Sequence, residues 1–130
     1  MPQLDDLRAV TIFNGLNDET LARIAELVTS VDVAADHLLM DRGQAGSGLF
    51  LIEEGGVVVE REGRRFELGP GSFVGELALL TDRGRTARVR TTVPSKLLAI
   101  SRADFRHLLR SEPDIALALL GALAERLADG

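Results

Sequence analysis

The spacing of apolar residues changes twice along the chain, and each spacing predicts a different kind of element. Up to about residue 30, apolar residues recur at helical spacing behind Asn17, a good N-cap, which predicts an N-terminal helix. From about 31 to 100, short apolar runs are separated by glycine-rich turns, the pattern of short strands. Helical spacing returns at Ser101 and begins again near Pro113. We expect a small antiparallel sandwich or β-roll with helices at both ends.

Turn signals divide the middle zone into strands. The apolar residues 49–52 and 57–59 are joined by Glu-Glu-Gly-Gly at 53–56, which predicts a β-hairpin. Gly69-Pro70-Gly71 predicts a further break. Residues 87–92 alternate, so that Arg88 and Arg90 are expected on the solvent face of a strand, because side chains alternate along strands.

The last predicted helix, at about 113 to 128, is apolar around most of its circumference. Two interpretations remain open for it: burial behind a wide apolar stripe, or a surface that meets a partner or closes over a ligand. Its two stripes at helical spacing are Ile115, Leu119, Ala122 and Leu123, and Leu117, Leu120, Ala124 and Leu127.

Composition narrows the class of protein. The 130 residues fit one domain, 1–130, and the absence of cysteine excludes disulfides and thiolate metal sites. With two histidines far apart, we expect no metal site. No apolar run approaches the roughly 20 residues of a membrane span, and the first residues are acidic, unlike a signal peptide. The net charge of −5 disfavours nucleic acid and anionic membrane as partners. We expect a cytoplasmic protein.

Residues 71–87 do not follow the strand pattern, and they carry the candidate chemistry. Gly75 lets the backbone approach a ligand, and the helix-prone turn after it offers N–H groups to an anion. Arg85 supplies a planar fork of donors suited to phosphate, whereas Glu76 suits a sugar hydroxyl. Together they describe a ribose-phosphate site. The alternative is that Glu76 and Arg85 pair with each other across a turn, worth about 0–1 kcal/mol if exposed.

The string Gly75-Glu76-Leu77-Ala78-Leu79-Leu80, followed by Arg85-Thr86-Ala87, resembles the phosphate-binding cassette of cyclic-nucleotide-binding domains. The resemblance covers about residues 12 to 128. Glycines at 43 and 55, the turn at 68–71 and the closing helices also resemble that family. It departs from the family pattern at Val74, where a second Phe is frequent, and at Ser47, where Asp is usual.

The resemblance implies a mainly β fold with flanking helices: an antiparallel, jelly-roll-like β-roll with an N-terminal helical part (1–30), the roll (31–100, cassette about 73–87) and C-terminal helices (101–130). In the family, the glutamate accepts from the ribose 2′-hydroxyl and the arginine neutralises the cyclic phosphate. A hydroxyl residue at the position of Thr86 affects the choice of base, and we favour cyclic AMP over cyclic GMP. The residues that the resemblance assigns to the ligand are Gly75, Glu76, Leu77, Ala78, Arg85, Thr86 and Ala87.

The predicted function is that of a regulatory or sensor domain. The cyclic nucleotide is its ligand, no further cofactor is expected, and no catalytic constellation is present, so we expect no enzyme activity. The signal is expected to pass through movement of the C-terminal helix to an effector protein or domain, or to a second copy in a homodimer. The chain is either a free-standing sensor or a regulatory domain of a larger protein. The alternative function is a degenerate fold that mediates protein–protein interaction without ligand.

Overall fold

Two of the helices begin where their capping residues predict. In the computed structural model, which describes residues 2–41, 48–75 and 87–129, the Asn17 side chain accepts a hydrogen bond from the Thr20 N–H. Ser101 likewise accepts from the Asp104 N–H. Each cap satisfies one of the donors that a helix leaves unpaired in its first turn. The helices are α1 (Leu4–Arg8), α2 (Asp18–Leu27), α3 (Arg102–Ser111) and α4 (Pro113–Asp129), with a 3₁₀ turn at Thr11–Phe13.

Within the described residues, eight short strands form two antiparallel sheets of four. The first sheet has the order β1-β8-β3-β6 and the second the order β2-β7-β4-β5. Most neighbours in these sheets are distant in sequence, which is the topology of a roll rather than of a meander. The strands are β1 (Thr29–Val33), β2 (Leu38–Met40), β3 (Gly48–Glu54), β4 (Val57–Arg61), β5 (Arg64–Leu68), β6 (Phe73–Val74), β7 (Arg88–Thr91) and β8 (Ser95–Ser101).

The first sheet separates two apolar cores. Its outer face packs against the helices, and we call this layer the helical core; it includes Leu49, Leu51, Phe73, Leu98 and Ile100 with Phe13, Phe105, Ile115 and Leu119. Its inner face packs against the second sheet, and we call this layer the roll interior; it consists of Met40, Ile52, Val57, Val59, Val74, Ala87, Val89 and Leu97. The alternation along β3 and β8 therefore serves both cores at once.

The predicted hairpin at residues 53–56 is wrong. Strand β3 belongs to the first sheet and β4 to the second, so the chain turns a corner between sheets at Gly55. Gly55 has φ +94°, and a Cβ there would lie 2.8 Å from the carbonyl oxygen of Pro94 and clash with the Ser95 hydroxyl. The chain also changes sheets between β7 and β8, at Pro94 and Ser95, and this corner packs on the corner at Gly55.

Within the part of the chain that the structure describes, a hairpin joins β4 to β5. Arg61 and Arg64 form its closing pair, and the turn residues Glu62 and Gly63 have φ of +53° and +77°. Two successive residues with positive φ match the sense of turn that suits the right-handed twist of paired strands.

Helix α4 carries one buried and one exposed apolar stripe. Ile115 and Leu119 are 0% and 3% exposed, and Ala122 and Leu123 pack partly buried against the helical core. On the other stripe, Leu117, Leu120 and Leu127 are exposed by 66%, 63% and 83%. Burial behind an apolar stripe is therefore confirmed for one face of the helix, whereas the surface that meets a partner or closes over a ligand stays a prediction for the exposed face. None of the described helices is long and apolar enough to traverse a bilayer.

Candidate functional site

Two of the seven predicted ligand-binding residues lie within the described residues, one at each end of the predicted cassette. Gly75 follows β6 directly, and Ala87 precedes β7 directly. Glu76, Leu77, Ala78, Arg85 and Thr86 lie outside the described residues, and their assignment stays a prediction.

The chain enters this region through a turn that is fixed to the N-terminal part of the protein. The predicted turn at 69–71 is confirmed, since the Ser72 N–H donates to the Gly69 carbonyl at 3.2 Å. Gly71 has φ +90°, and its carbonyl accepts from both the N–H and the hydroxyl of Thr11, at 3.0 and 2.9 Å. A left-handed glycine is needed here because a side chain in that conformation would be strained.

Strand β6 sends its two side chains into different cores. It pairs with β3, so that Phe73 faces Leu51 and Val74 faces Phe50 in register. Phe73 (2% exposed) packs in the helical core and Val74 (4% exposed) in the roll interior. Gly75 then has φ +101°, a conformation that favours glycine and turns the chain out of the strand.

The chain returns from the cassette at the same buried surface. Ala87 is 8% exposed and lies in the roll interior with Val74. From there β7 alternates as predicted, with Val89 and Thr91 buried and Arg88 exposed. Val74 and Ala87, which flank residues 75–86, are therefore both buried in the roll interior.

The arginines of β7 outside the cassette are engaged in ion pairs on the outer face. The Arg88 Nε lies 3.1 Å from the Asp41 carboxylate. Arg90 Nη1 lies 2.9 Å from the Asp36 carbonyl and 3.4 Å from its carboxylate. Their placement confirms that the alternation separates Arg88 and Arg90 from the inner face of β7.

One residue beside the site was missed by the sequence analysis. Arg126 Nη2 donates to the Phe73 carbonyl at 2.8 Å and lies 3.3 Å from the Ser72 hydroxyl, while its guanidinium lies 4.1 Å from the centre of the Phe73 ring. The signal was available, because Arg126 continues the spacing of Leu119, Ala122 and Leu123 on the buried face of α4.

Acidic groups in the described part of the chain do not form a metal site. Among residues 2–41, 48–75 and 87–129, no group of three or more His, Asp or Glu side chains is arranged to hold a metal ion. A cavity of about 330 Å³ between α1 and the end of β3 is lined by Asp5, Asp6, Glu53 and Glu54. Burial of the Glu53 carboxyl, reinforced by the charge of Asp6, raises the pKa of Glu53.

Comparison with known proteins identifies the family. The family model described as the cyclic nucleotide-binding domain matches residues 30–112. A cyclic nucleotide-gated potassium channel of Mesorhizobium japonicum is 35% identical over 108 residues, which are 83% of this chain and 30% of the channel. The chain therefore belongs to the cyclic nucleotide-binding domain family. It spans about a third or less of the curated relatives it matches.

Solved structures share the fold. The catabolite activator protein of Thermus thermophilus superposes with a TM-score of 0.80 at 29% identity, over 92% of this chain and 59% of that one. The N-terminal domain of a transcriptional regulator from Streptomyces coelicolor A3(2) gives a TM-score of 0.71 at 34% identity, over 96% of this chain and 91% of that one. The β-roll with flanking helices is thus confirmed as the fold of this chain.

Proposed function

We propose that this domain binds a cyclic nucleotide, cyclic AMP in preference to cyclic GMP, and that the bound ligand regulates an effector through α4. One observation carries the proposal: Val74 and Ala87, which lie near the two ends of the cassette, are buried in the same roll interior. Glu76 and Arg85 lie in the sequence between these two buried residues. The relative from Mesorhizobium japonicum, named as cyclic nucleotide-gated, supports the same ligand class.

In the proposed site, two side chains and the backbone bind different parts of the ligand. The Arg85 guanidinium meets the charge of the cyclic phosphate with two parallel hydrogen bonds, and the Glu76 carboxylate accepts from the ribose 2′-hydroxyl. Backbone N–H groups of Gly75, Leu77, Ala78 and Ala87 complete the anion site. Thr86 contacts the base. No group in this set acts as a nucleophile or base, so we expect no turnover of the nucleotide.

The signal is proposed to arise from differential affinity for two positions of α4. A ligand shifts an equilibrium only as far as it binds one state better. In our proposal, phosphate binding draws the cassette inward and α4 follows to cover the base. Limited proteolysis of the C-terminal helix should slow when nucleotide is added, and equal cleavage with and without nucleotide would contradict the movement.

The decisive test of ligand binding compares alanine variants of Arg85 and Arg88, which are three residues apart in the sequence. Arg85→Ala should weaken cyclic AMP binding by about 2–5 kcal/mol in calorimetry, because a desolvated phosphate loses its charged partner. Arg88→Ala is the matched control: Arg88 pairs with Asp41 on the outer face, so binding should stay unchanged. A loss below about tenfold (1.4 kcal/mol) for Arg85→Ala would place Arg85 outside the site. A parallel titration with cyclic GMP measures the preference between bases.

A second candidate function is favoured by one specific observation. The exposed stripe of Leu117, Leu120 and Leu127 on α4 is the kind of surface that meets another protein. A degenerate domain would use this stripe, toward an effector or a second copy, without nucleotide. Calorimetry separates the two functions directly, since the degenerate domain gives no binding heat with either cyclic nucleotide.

A further inference from the structure

Arg126 links the last turn of α4 to the strand that enters the predicted site. Residues 124, 125, 127 and 128 around it are exposed, whereas Arg126 is partly buried. Its hydrogen bond to the Phe73 carbonyl is charge-assisted, and the planar guanidinium also stacks on the Phe73 ring. The end of α4 is therefore held to the body of the protein at Arg126, beyond the point where the apolar contacts of Leu119 and Leu123 reach.

The Phe73 carbonyl, which accepts this hydrogen bond, lies two residues before Gly75 at the start of the predicted site. Phe73 lies in a strand of two residues at the edge of the first sheet. Its neighbour Val74 lines the roll interior, and Gly75 follows at once. A displacement of the backbone at Gly75 therefore reaches the Phe73 carbonyl through two peptide bonds, and the carbonyl is bonded to α4.

We propose that Arg126 is the positioning residue that couples the nucleotide site to α4. When the cassette moves inward on the ligand, the Phe73 carbonyl and ring carry Arg126, and with it the last turns of α4, in the same direction. Arg126 acts through the backbone of Phe73 and not by touching the nucleotide. This inference rests on the proposed function, because it names the regulation of the same site.

Arg126→Met tests the coupling, since methionine keeps an apolar stem and helix propensity but has no donor. Arg110→Met is the matched control, because it removes one positive charge from an exposed position of α3. Arg126→Lys retains the charge and one donor and should restore part of the effect. All three variants are compared with the parent chain by hydrogen exchange of residues 120–128 and by calorimetry with cyclic AMP.

Without nucleotide, exchange at 120–128 should be faster in Arg126→Met than in the parent chain or in Arg110→Met. Equal exchange would overturn the contact itself, whatever the protein binds. With nucleotide, the parent chain should gain protection at 120–128, and Arg126→Met should lose that gain and bind cyclic AMP about tenfold more weakly. Full nucleotide-dependent protection in Arg126→Met would overturn the coupling.

The two proposals fail in distinguishable ways. If the parent chain binds no cyclic nucleotide, the proposed function and the coupling both fail, whereas faster exchange in nucleotide-free Arg126→Met still supports Arg126 as the contact that holds the end of α4. If the parent chain binds and Arg126→Met differs from it in neither measurement, the proposed function stands and the coupling is overturned.

Discussion

At the scale of single residues, the position of each arginine in the fold determines which group its side chain contacts. Arg88 and Arg90 belong to a basic stretch in the sequence, yet each pairs with an aspartate on the outer face. Arg126 stands in a mainly apolar helix and contacts a backbone carbonyl. The alternation of β7 predicted the first two placements, since it depends on local geometry alone. The partner of Arg126 lies far away in the sequence, so only the packing of α4 reveals it.

Glu53 gives a residue-scale prediction about pH. Its Oε2 is buried and, among the described residues, has no hydrogen-bond partner. Desolvation of the Glu53 carboxyl is the largest cause that raises its pKa, followed by the negative charge of Asp6. The charge of Glu54 raises this pKa further, whereas the positive charge of Lys96 lowers it. The folded protein thus holds the Glu53 proton more tightly than the unfolded chain, so stability is lost as pH rises from the ordinary glutamate pKa through the raised one.

Glu53→Gln should therefore raise the melting temperature at about pH 7 and leave it nearly unchanged at about pH 4, where the parent carboxyl is protonated. The exposed neighbour provides the control variant, Glu54→Gln, measured by calorimetric melting at the same two pH values. An equal shift at both pH values would show that Glu53 does not titrate in the range that burial predicts.

At the scale of elements, caps and alternation were predictable and the corners between sheets were not. Asn17 and Ser101 act within one helical turn, so the sequence around them contains the whole interaction. The segment at 53–56 has the composition of a hairpin. What makes it a corner is the contact of Gly55 with Pro94 and Ser95, a contact between segments far apart in sequence.

The two glycine turns give a matched pair of variants at this scale. Gly55→Ala should destabilise the protein by about 3 kcal/mol or more. The new methyl group would clash with the Pro94 carbonyl, and alanine would also be strained at the positive φ of this position. Gly63→Ala should cost only about 1 kcal/mol, since Gly63 has positive φ but open space around it. Urea unfolding at equilibrium measures both, and similar losses would remove the role assigned to the corner.

At the scale of the whole molecule, the fold class was predictable from the resemblance at the cassette. The pattern alone left a sandwich or a roll open, because strand composition does not say which strands pair. The division of apolar residues between the helical core and the roll interior depends on the order of strands in the sheets. The boundaries of the helical and β zones were nevertheless close, with β1 beginning at Thr29 and β8 ending at Ser101.

Ligand binding should appear as stabilisation of the entire domain. Cyclic AMP at a hundred times its Kd should stabilise the folded state by about 2.7 kcal/mol, a rise of roughly 10 °C in melting temperature for a domain of this size. Differential scanning fluorimetry measures the rise, with open-chain adenosine monophosphate as the matched control ligand. Arg85→Ala under the same conditions should keep at most about a third of this stabilisation, because its weaker binding leaves the ligand at no more than about three times the variant's Kd, and an undiminished rise in that variant would contradict the assigned site.

The shared anchorage of Val74 and Ala87 has a consequence for engineering and for evolution. Residues 76–86 can be exchanged as a unit, because Val74 and Ala87 on either side of them keep their contacts in the roll interior. The two sheets therefore retain their packing when the segment is replaced. Transplanting residues 76–86 from a family member with a different base preference should therefore transfer recognition while the scaffold keeps its architecture.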